Sequence, residues 1–370
     1  MESFFNKLMY RGVCGACNFR CELFDPGTSS SRENDLLELF EPLGRKSPSG
    51  YDCIVPARGD AEDYFVVKYL LEKNLNPLVV LVNNYFLTDL AWKNFHNLIT
   101  EFDVDSVVYN PNLHVYKEAV RSSLRKLNSI YYPYKALLHS YVMQLAREKS
   151  IRFVVWGQCQ PIEFSGKYSK LDDLRLSEWW VIEHELGGVS FEDFLGSGVQ
   201  MIQKDVVPYN YPKKESLKTV QGIFLSNYLN WDQCQQNSDM VNYGFTPDDP
   251  LNTFDRFENA GSSVYYQLHD LLRYLNTGYP KLAQHFSREV RFGRMSLSDL
   301  DTDCTKYLAY QPKKFFTEFL ETTNSGYEWF LDKHLAGVAH LLRDKAELCF
   351  SPSISSVEKN ENFVLFRKGI

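Results

Sequence analysis

Tyr51-Asp-Cys-Ile-Val-Pro56, followed by Ala57-Arg-Gly-Asp-Ala-Glu-Asp63, is the stretch whose reading decides the fold class. Asp52 to Pro56 is a short apolar, β-branched run, which reads as a buried strand. From Ala61 to Asn74 the apolar residues Phe65, Val66, Tyr69 and Leu70 recur at helical spacing. Strand, polar loop and helix follow within about two dozen residues, and the same unit then returns. Pro77-Leu-Val-Val-Leu-Val82 is a second β-branched run, Leu87 to Phe102 a helix and Ser106-Val-Val-Tyr109 a third short strand. Two helical stretches, His114 to Leu127 and Tyr134 to Lys149, lead into a fourth strand, Ile151 to Trp156. Short apolar strands alternating with amphipathic helices predict an α/β fold, a parallel sheet with right-handed crossovers.

Outward from this core the pattern weakens. The first 50 residues carry a cysteine cluster, a Gly-Ser stretch (Pro26 to Ser31) and a short helix predicted around Asp35 to Phe40. After Gly157 the strand signal largely disappears. Leu171 to Glu185, Tyr265 to Tyr274, Leu297 to Tyr307, Lys313 to Glu321 and Tyr327 to Leu335 read mainly as helices. The expected division is residues 1–50 as a cysteine-containing segment, 51–170 as the α/β domain and 171–370 as a mostly helical part. A chain of 370 residues, 44% hydrophobic and 15% aromatic, suits two packed units.

The 40 Lys and Arg against 47 Asp and Glu give a net charge of −7, which argues against a nucleic-acid surface. Met1 to Tyr10 lacks the apolar core of a signal peptide, and no apolar run approaches membrane-spanning length, so a cytoplasmic location without membrane partners is expected. In such a compartment the 8 cysteines are free thiols or metal ligands before they are disulfides.

In an open parallel sheet, ligands bind beyond the carboxyl ends of the strands. That edge should hold Ala57 to Asp63, Asn83-Asn84-Tyr85, Asn110-Pro111-Asn112 and Trp156-Gly157-Gln158. The first of these enters a helix, where main-chain N–H groups and the helix dipole receive phosphate.

The ordered series of motifs along the chain resembles the bacterial N-acetyl sugar amidotransferases, members of the PP-loop ATP-pyrophosphatase superfamily. Tyr51 to Pro56 with its loop and helix looks like the start of that fold. Gly12-Val-Cys-Gly-Ala-Cys17 is similar to the family's N-terminal Cys-x-x-Cys segment, and Val155-Trp-Gly-Gln158, with Glu163 and Gly166, to its Trp-Gly-Glu segment. Gly222 to Tyr228, Trp231-Asp232, Tyr243-Gly-Phe245, Phe257-Glu-Asn259 and Leu268-His-Asp270 continue the series. Gly278-Tyr279, His285, Ser287-Arg-Glu289, Arg291, Gly293-Arg294 and Asp332-Lys-His334 complete it.

The resemblance implies a Rossmann-like PP-loop sheet, of the adenine nucleotide alpha hydrolase type, with a helical C-terminal part. It also implies a reaction: ATP adenylates the amide oxygen of an acetamido sugar, and ammonia displaces AMP to give an acetamidino group. Ammonia would come from a glutaminase and synthase pair. The acceptor would be a free or nucleotide-activated N-acetyl sugar bound for lipopolysaccharide, capsule or flagellar glycan. ATP with Mg²⁺ would lie against Arg58, Gly59, Asp60 and Asp63, flanked by Asn83, Trp156, Gly157 and Gln158. The same resemblance offers His285, Arg288 and Glu289 as catalytic residues and His269, Arg291 and Lys333 as sugar contacts. Zn²⁺ would sit on Cys14, Cys17 and Cys21.

The chain departs from the family where phosphate should bind. The family loop reads Ser-Gly-Gly-Lys-Asp-Ser; here Arg58-Gly-Asp-Ala-Glu-Asp63 keeps Gly59 alone. Three carboxylates at a phosphate site repel the ligand unless Mg²⁺ bridges them or Arg58 replaces the lysine's charge. The cysteines make half a zinc site and would need a further ligand from a distant His; the alternative is free thiols. Arg288, Arg291 and Arg294 stand at i, i+3 and i+6, one face of a helix, either solvated or facing a diphosphate. His269 and His285 are packed residues or site residues. Two functions follow: an active ATP-dependent amidotransferase, or an inactive partner or regulatory subunit of an active paralogue. Retention of His269, His285, Arg288, Glu289, Arg291 and Lys333 favours the first. Sulfur transfer to tRNA fits an acidic chain poorly.

Overall fold

Parallel strands covered by helices on both faces must be apolar on both faces, and the strands read from the sequence have that character. The computed structural model describes residues 9–10, 13–14, 26–41, 48–159, 175–195, 203–217, 220–250, 253–258, 263, 269, 272–273, 281–296 and 298–299. Strands β1 (Met9–Tyr10) and β2 (Val13–Cys14) pair as a small antiparallel ribbon. The main sheet contains β3 (Cys53–Ala57), β4 (Pro77–Val82), β5 (Ser106–Tyr109), β6 (Phe153–Trp156), β7 (Arg175–Leu176) and β8 (Gln221–Phe224). Their order is β5-β4-β3-β6-β8-β7, parallel throughout except for β7, which runs antiparallel to β8.

Successive side chains of a strand point to opposite faces, and the two cores divide accordingly. On one face Ile54, Leu78, Val80, Val82 and Val154 pack with α4 (Leu113–Leu127) and α5 (Tyr132–Glu148). On the other, Cys53, Val55, Val79, Leu81, Phe153 and Val155 pack with α1 (Pro26–Phe40), α2 (Ala61–Glu72) and α3 (Asp89–Phe102). The sheet is thus doubly wound, as the α/β expectation required. Short polar residues set the helix ends. Thr88 Oγ1 accepts the Ala91 N–H at 3.1 Å to open α3, and Asn112 Oδ1 accepts from His114 and Val115 to open α4. Asp103 and Asn128 close the same helices in the left-handed region, at φ 50° and 53°.

Chain order fixes where a ligand can enter. From β3 the chain steps to β4 and β5, then returns through α4 and α5 to β6 on the opposite side of β3. Loops leaving β3 and β6 therefore diverge, and in open parallel sheets such a switch point is where ligands bind.

Three sequence expectations are corrected. The strand signal does not end at Gly157: β8 lies at 221–224, buried beside β6, so the sheet runs beyond residue 170. Four residues between polar neighbours are too few for a periodicity to register, and neighbouring strands supply the rest. Leu171 to Glu185 is not one helix, because Arg175–Leu176 forms β7 before helical turns cover Glu178–Glu185. The first helix begins at Pro26, not near Asp35; proline suits a first helical turn. The helices expected at 297–307, 313–321 and 327–335 lie outside the described residues, apart from positions 298 and 299. Among the described residues, no helix is long and apolar enough to cross a membrane.

Candidate functional site

The loop from β3 to α2 turns sharply because Gly59 adopts φ 86° and passes against α3. A Cβ there would lie 2.4 Å from the Ala91 carbonyl oxygen. This turn aims three consecutive amides at one point. The N–H groups of Arg58, Gly59 and Asp60 all donate to Asp63 Oδ2, at 2.7, 2.8 and 2.9 Å. Asp63 is the third residue of α2, so its carboxylate also sits at the positive end of the helix dipole. Arg58 Nη2 reaches Asp60 Oδ2 at 3.0 Å. The anion cradle expected from the sequence therefore exists, and the anion in it is the chain's own.

The charges in this loop are strained. Burial, and then the Asp60 carboxylate, push Asp63 up to about 7 despite the three amides and Arg58. Burial pushes Glu62 up to about 7 as well, against the pull of Arg58 and the Gln158 N–H. Burial alone would lower Arg58, but Asp60, Tyr131 and Asp63 outweigh it and hold the guanidinium well above its ordinary value. Glu62 ties the loop to β6: its Oε1 accepts the Gln158 N–H at 3.0 Å, and its carboxyl lies where a Cβ on Gly157 would stand.

The start of α5 brings further groups to the same edge. Tyr131 precedes the helix and stacks on His269 with ring centroids 5.3 Å apart. Lys135 Nζ lies 3.1 Å from Glu185, and His139 packs on Trp156 at 4.7 Å. Burial alone would raise Glu185; Lys135 and His139 outweigh it and hold the carboxyl well below the usual range. Burial, with Lys135, Arg273 and Lys281, holds His269 well below the ordinary histidine value, so its ring is neutral at pH 7. Asn83 Nδ2 donates to Asn110 Oδ1 at 2.7 Å, and Asn84 Nδ2 to Ser263 Oγ at 2.8 Å.

A second buried cluster surrounds α7 (Lys281–Arg291). The His285 ring lies between Thr253 Oγ1 and Glu258 Oε2, each at 2.5 Å. Lys281 pairs with the other Glu258 oxygen. Arg288 spans Asp255 at 2.7 Å, Gln233 at 3.0 Å and Glu289 at 2.7 Å. Arg294 then joins Glu289 to Asp232 at the start of α6 (Gln233–Asp239). Burial alone would raise Glu258, but Lys281, His285 and Arg288 outweigh it and hold it well below its ordinary value. Burial raises Asp255 likewise, and His285 and Arg288 outweigh it.

These positions revise several expectations. Helix α7 ends at Arg291, so Arg294 does not share a helix face with Arg288 and Arg291. Arg288 is buried and turned to its own carboxylates rather than to solvent or a diphosphate. His285 and Glu289 are buried in the same network, while Arg291 is half-buried at the helix end. The loop residues, Trp156 and Gln158 do meet at one edge, with His269 beside them through Tyr131. Tyr131, Lys135, His139 and Glu185 were missed, because no short motif marks them; their signal is the start of a crossover helix that must begin at the ligand edge. Cys14 lies in β2, and Cys17, Cys21 and Lys333 lie outside the described residues, as do Glu163 and Gly166.

No protein-family model matches the chain. An uncharacterized protein of Methanocaldococcus jannaschii is 23% identical over 141 residues, which are 38% of this chain and 50% of that protein. The chain thus spans about half the length of that relative. The structure of NMN synthetase from Francisella tularensis is similar with a TM-score of 0.40 and 10% identity, over 77% of this chain and 94% of that one. At that score the likeness carries no conclusion about this chain.

For ATP with Mg²⁺ the loop fits badly: its amides are committed to Asp63, Asp60 faces Arg58, and Glu62 faces Gln158. Among the described residues, the metal-type ligand atoms that converge, within 4.8 Å, belong to Asp255, Glu258 and His285. Lys281 and Arg288 already neutralise those carboxylates, and a divalent ion would be forced against both cations.

Proposed function

We propose that this chain is a non-adenylating relative of the N-acetyl sugar amidotransferases, acting as a partner or regulatory subunit beside an active paralogue. One observation carries the reading: Asp63 takes the three loop amides that a nucleotide phosphate would need. The internal carboxyl oxygen accepts all three without the loss of translational freedom that a bound phosphate costs. The polar set that the sequence offers as catalytic has a second reason to be kept. His285, Arg288 and Glu289 form the buried ion-pair network that fastens residues 253–258 to α7, and removing one partner of such a network is costly. Their presence therefore does not require a reaction.

The second reading is ATP-dependent conversion of an acetamido to an acetamidino group, with ammonia from a glutaminase and synthase pair. It is favoured by Arg58, whose side chain is 25% exposed at the mouth of the loop and could turn from Asp60 to a phosphate. Calorimetry with ATP, with and without Mg²⁺, separates the two. The first reading expects no heat at millimolar ATP from the folded wild type. Micromolar, Mg²⁺-dependent binding that Arg58→Ala weakens would sink it and leave the amidotransferase.

A further inference from the structure

We propose that the open edge of β5 is a homodimer interface, at which a second copy of this chain adds its own β5 antiparallel and joins the two sheets. Strand β5 ends the sheet, with β4 on one side only. In its parallel ladder the Asp105 and Tyr109 carbonyls accept the Val79 and Asn83 N–H groups at 3.0 and 2.9 Å, and Ser106 to Tyr109 run beside Val79 to Val82. Main-chain groups alternate in direction along a strand. Those of Val107 and Tyr109 therefore bond to β4, and those of Ser106 and Val108 turn outward. Ser106 and Asn110 are exposed, and Val108 is 38% exposed. An open edge of this kind invites another strand, and proteins that avoid pairing place a charge or a proline on it. Ser106-Val-Val-Tyr-Asn110 has neither. Two exposed large hydrophobic residues, Val108 and Leu113, stand at this edge.

The strand's own pattern selects a second copy as the occupant. An antiparallel pair with its two-fold axis at Val108 sets Val108 against Val108 and Ser106 against Asn110, so each outward main-chain group of β5 meets a partner. Val107 then faces Tyr109 across the pair, a β-branched residue against an aromatic one, and Tyr109 is itself fixed by stacking on Tyr141 with ring centroids 3.7 Å apart. Charge is complementary as well. Exposed Glu101, Asp103 and Asp105 precede the strand, whereas the chain after it enters α4 with exposed His114 and half-buried Lys117, at the positive end of that helix. Antiparallel pairing lays the acidic flank of each copy over the helix start of the other. Glu118 does not oppose this, because its carboxylate is paired with Arg121. The two-fold pairing closes on itself and gives a dimer rather than a filament. It also points the carboxyl edges of the two sheets in opposite directions and leaves both open. It requires nothing of the β3 loop.

A strand of 4 residues makes a small interface, so the dissociation constant should be on the order of 10 µM. Sedimentation velocity of the full chain through that range is expected to show a monomer–dimer equilibrium that high salt weakens. Val108→Pro removes an outward N–H and no bond to β4, while Val108→Lys sets two like charges face to face at the axis. Each should weaken the dimer by about tenfold or more and leave the urea midpoint of the dilute protein at the wild-type value. If Val108→Pro does not fold, Val108→Lys decides. Amide hydrogen exchange of residues 106–110 should slow as the wild-type concentration rises, and should not in the variants. A wild type that stays monomeric at about 100 µM, a species larger than a dimer, a dimer that Val108→Lys leaves intact, or exchange at 106–110 independent of concentration would overturn the proposal.

Discussion

Replacing Asp63 by Asn and by Ala, in parallel, asks whether this side chain fills the anion cradle. Asn keeps one side-chain oxygen for the amides of Arg58, Gly59 and Asp60 and removes the charge; Ala removes both. Two of those amides, on Gly59 and Asp60, are buried. Leaving a buried donor unmet costs about 1–3 kcal/mol, part of which water recovers on entering, so Ala should be less stable than Asn by roughly 2–3 kcal/mol. Asn itself should match or exceed the wild type above pH 7, because the native carboxylate is held at a penalty beside Asp60. Urea unfolding at pH 7.5, with equal slopes required of the three proteins, measures both differences. The Ala protein also exposes the cradle to external anions. Inorganic phosphate at about 100 mM, binding with a dissociation constant near 10 mM, would restore about 1.4 kcal/mol to Asp63→Ala and nothing to the wild type. Equal stability of the Ala and Asn proteins, together with no phosphate effect, would refute the reasoning.

Glu258→Gln should cost about 3–5 kcal/mol in the same assay, since it strands buried Lys281 and unbalances His285; Lys281→Met in the same chain should recover part of the loss. Gly59→Ala should cost roughly 2–4 kcal/mol, combining a left-handed φ with a clash at the Ala91 carbonyl, and a loss below 1 kcal/mol would show that the turn is not rigid. Glu62 and Asp63 are raised carboxyls, whose contribution to stability is full below their unfolded values and lost as pH rises through about 7. Stability should therefore increase as pH falls from 8 to 6.5, by up to about 1.4 kcal/mol per unit for each group. The gradient should flatten in Glu62→Gln. Below 6.5, His269, lowered in the fold, opposes it by losing stability as pH falls. Mg²⁺ at millimolar concentration should leave the melting temperature of the wild type unchanged, as Lys281 and Arg288 already compensate the Asp255, Glu258 and His285 group.

The sequence by itself determined the α/β class, the bounds of β4 and β5, and the place of the β3 loop at the carboxyl edge of the sheet. Those features are local: Pro77 to Val82 is apolar at every position because both faces of a central parallel strand are covered, and the β3 loop must follow its strand. It also showed that residues 58–63 carry no lysine, one glycine and three carboxylates. What it left open was which way those carboxylates turn, and the tertiary structure decided that. Asp63 turns inward because Gly59 packs on Ala91 and points three amides at it, whereas Glu62 turns across to β6. Likewise Arg288 and His285 look like site residues in the linear chain. Gln233, Thr253, Asp255 and Glu258, 27 to 55 positions away, absorb them into a buried network. Partners so distant in sequence are chosen by packing and charge neutralisation in three dimensions, for which a linear pattern holds no record.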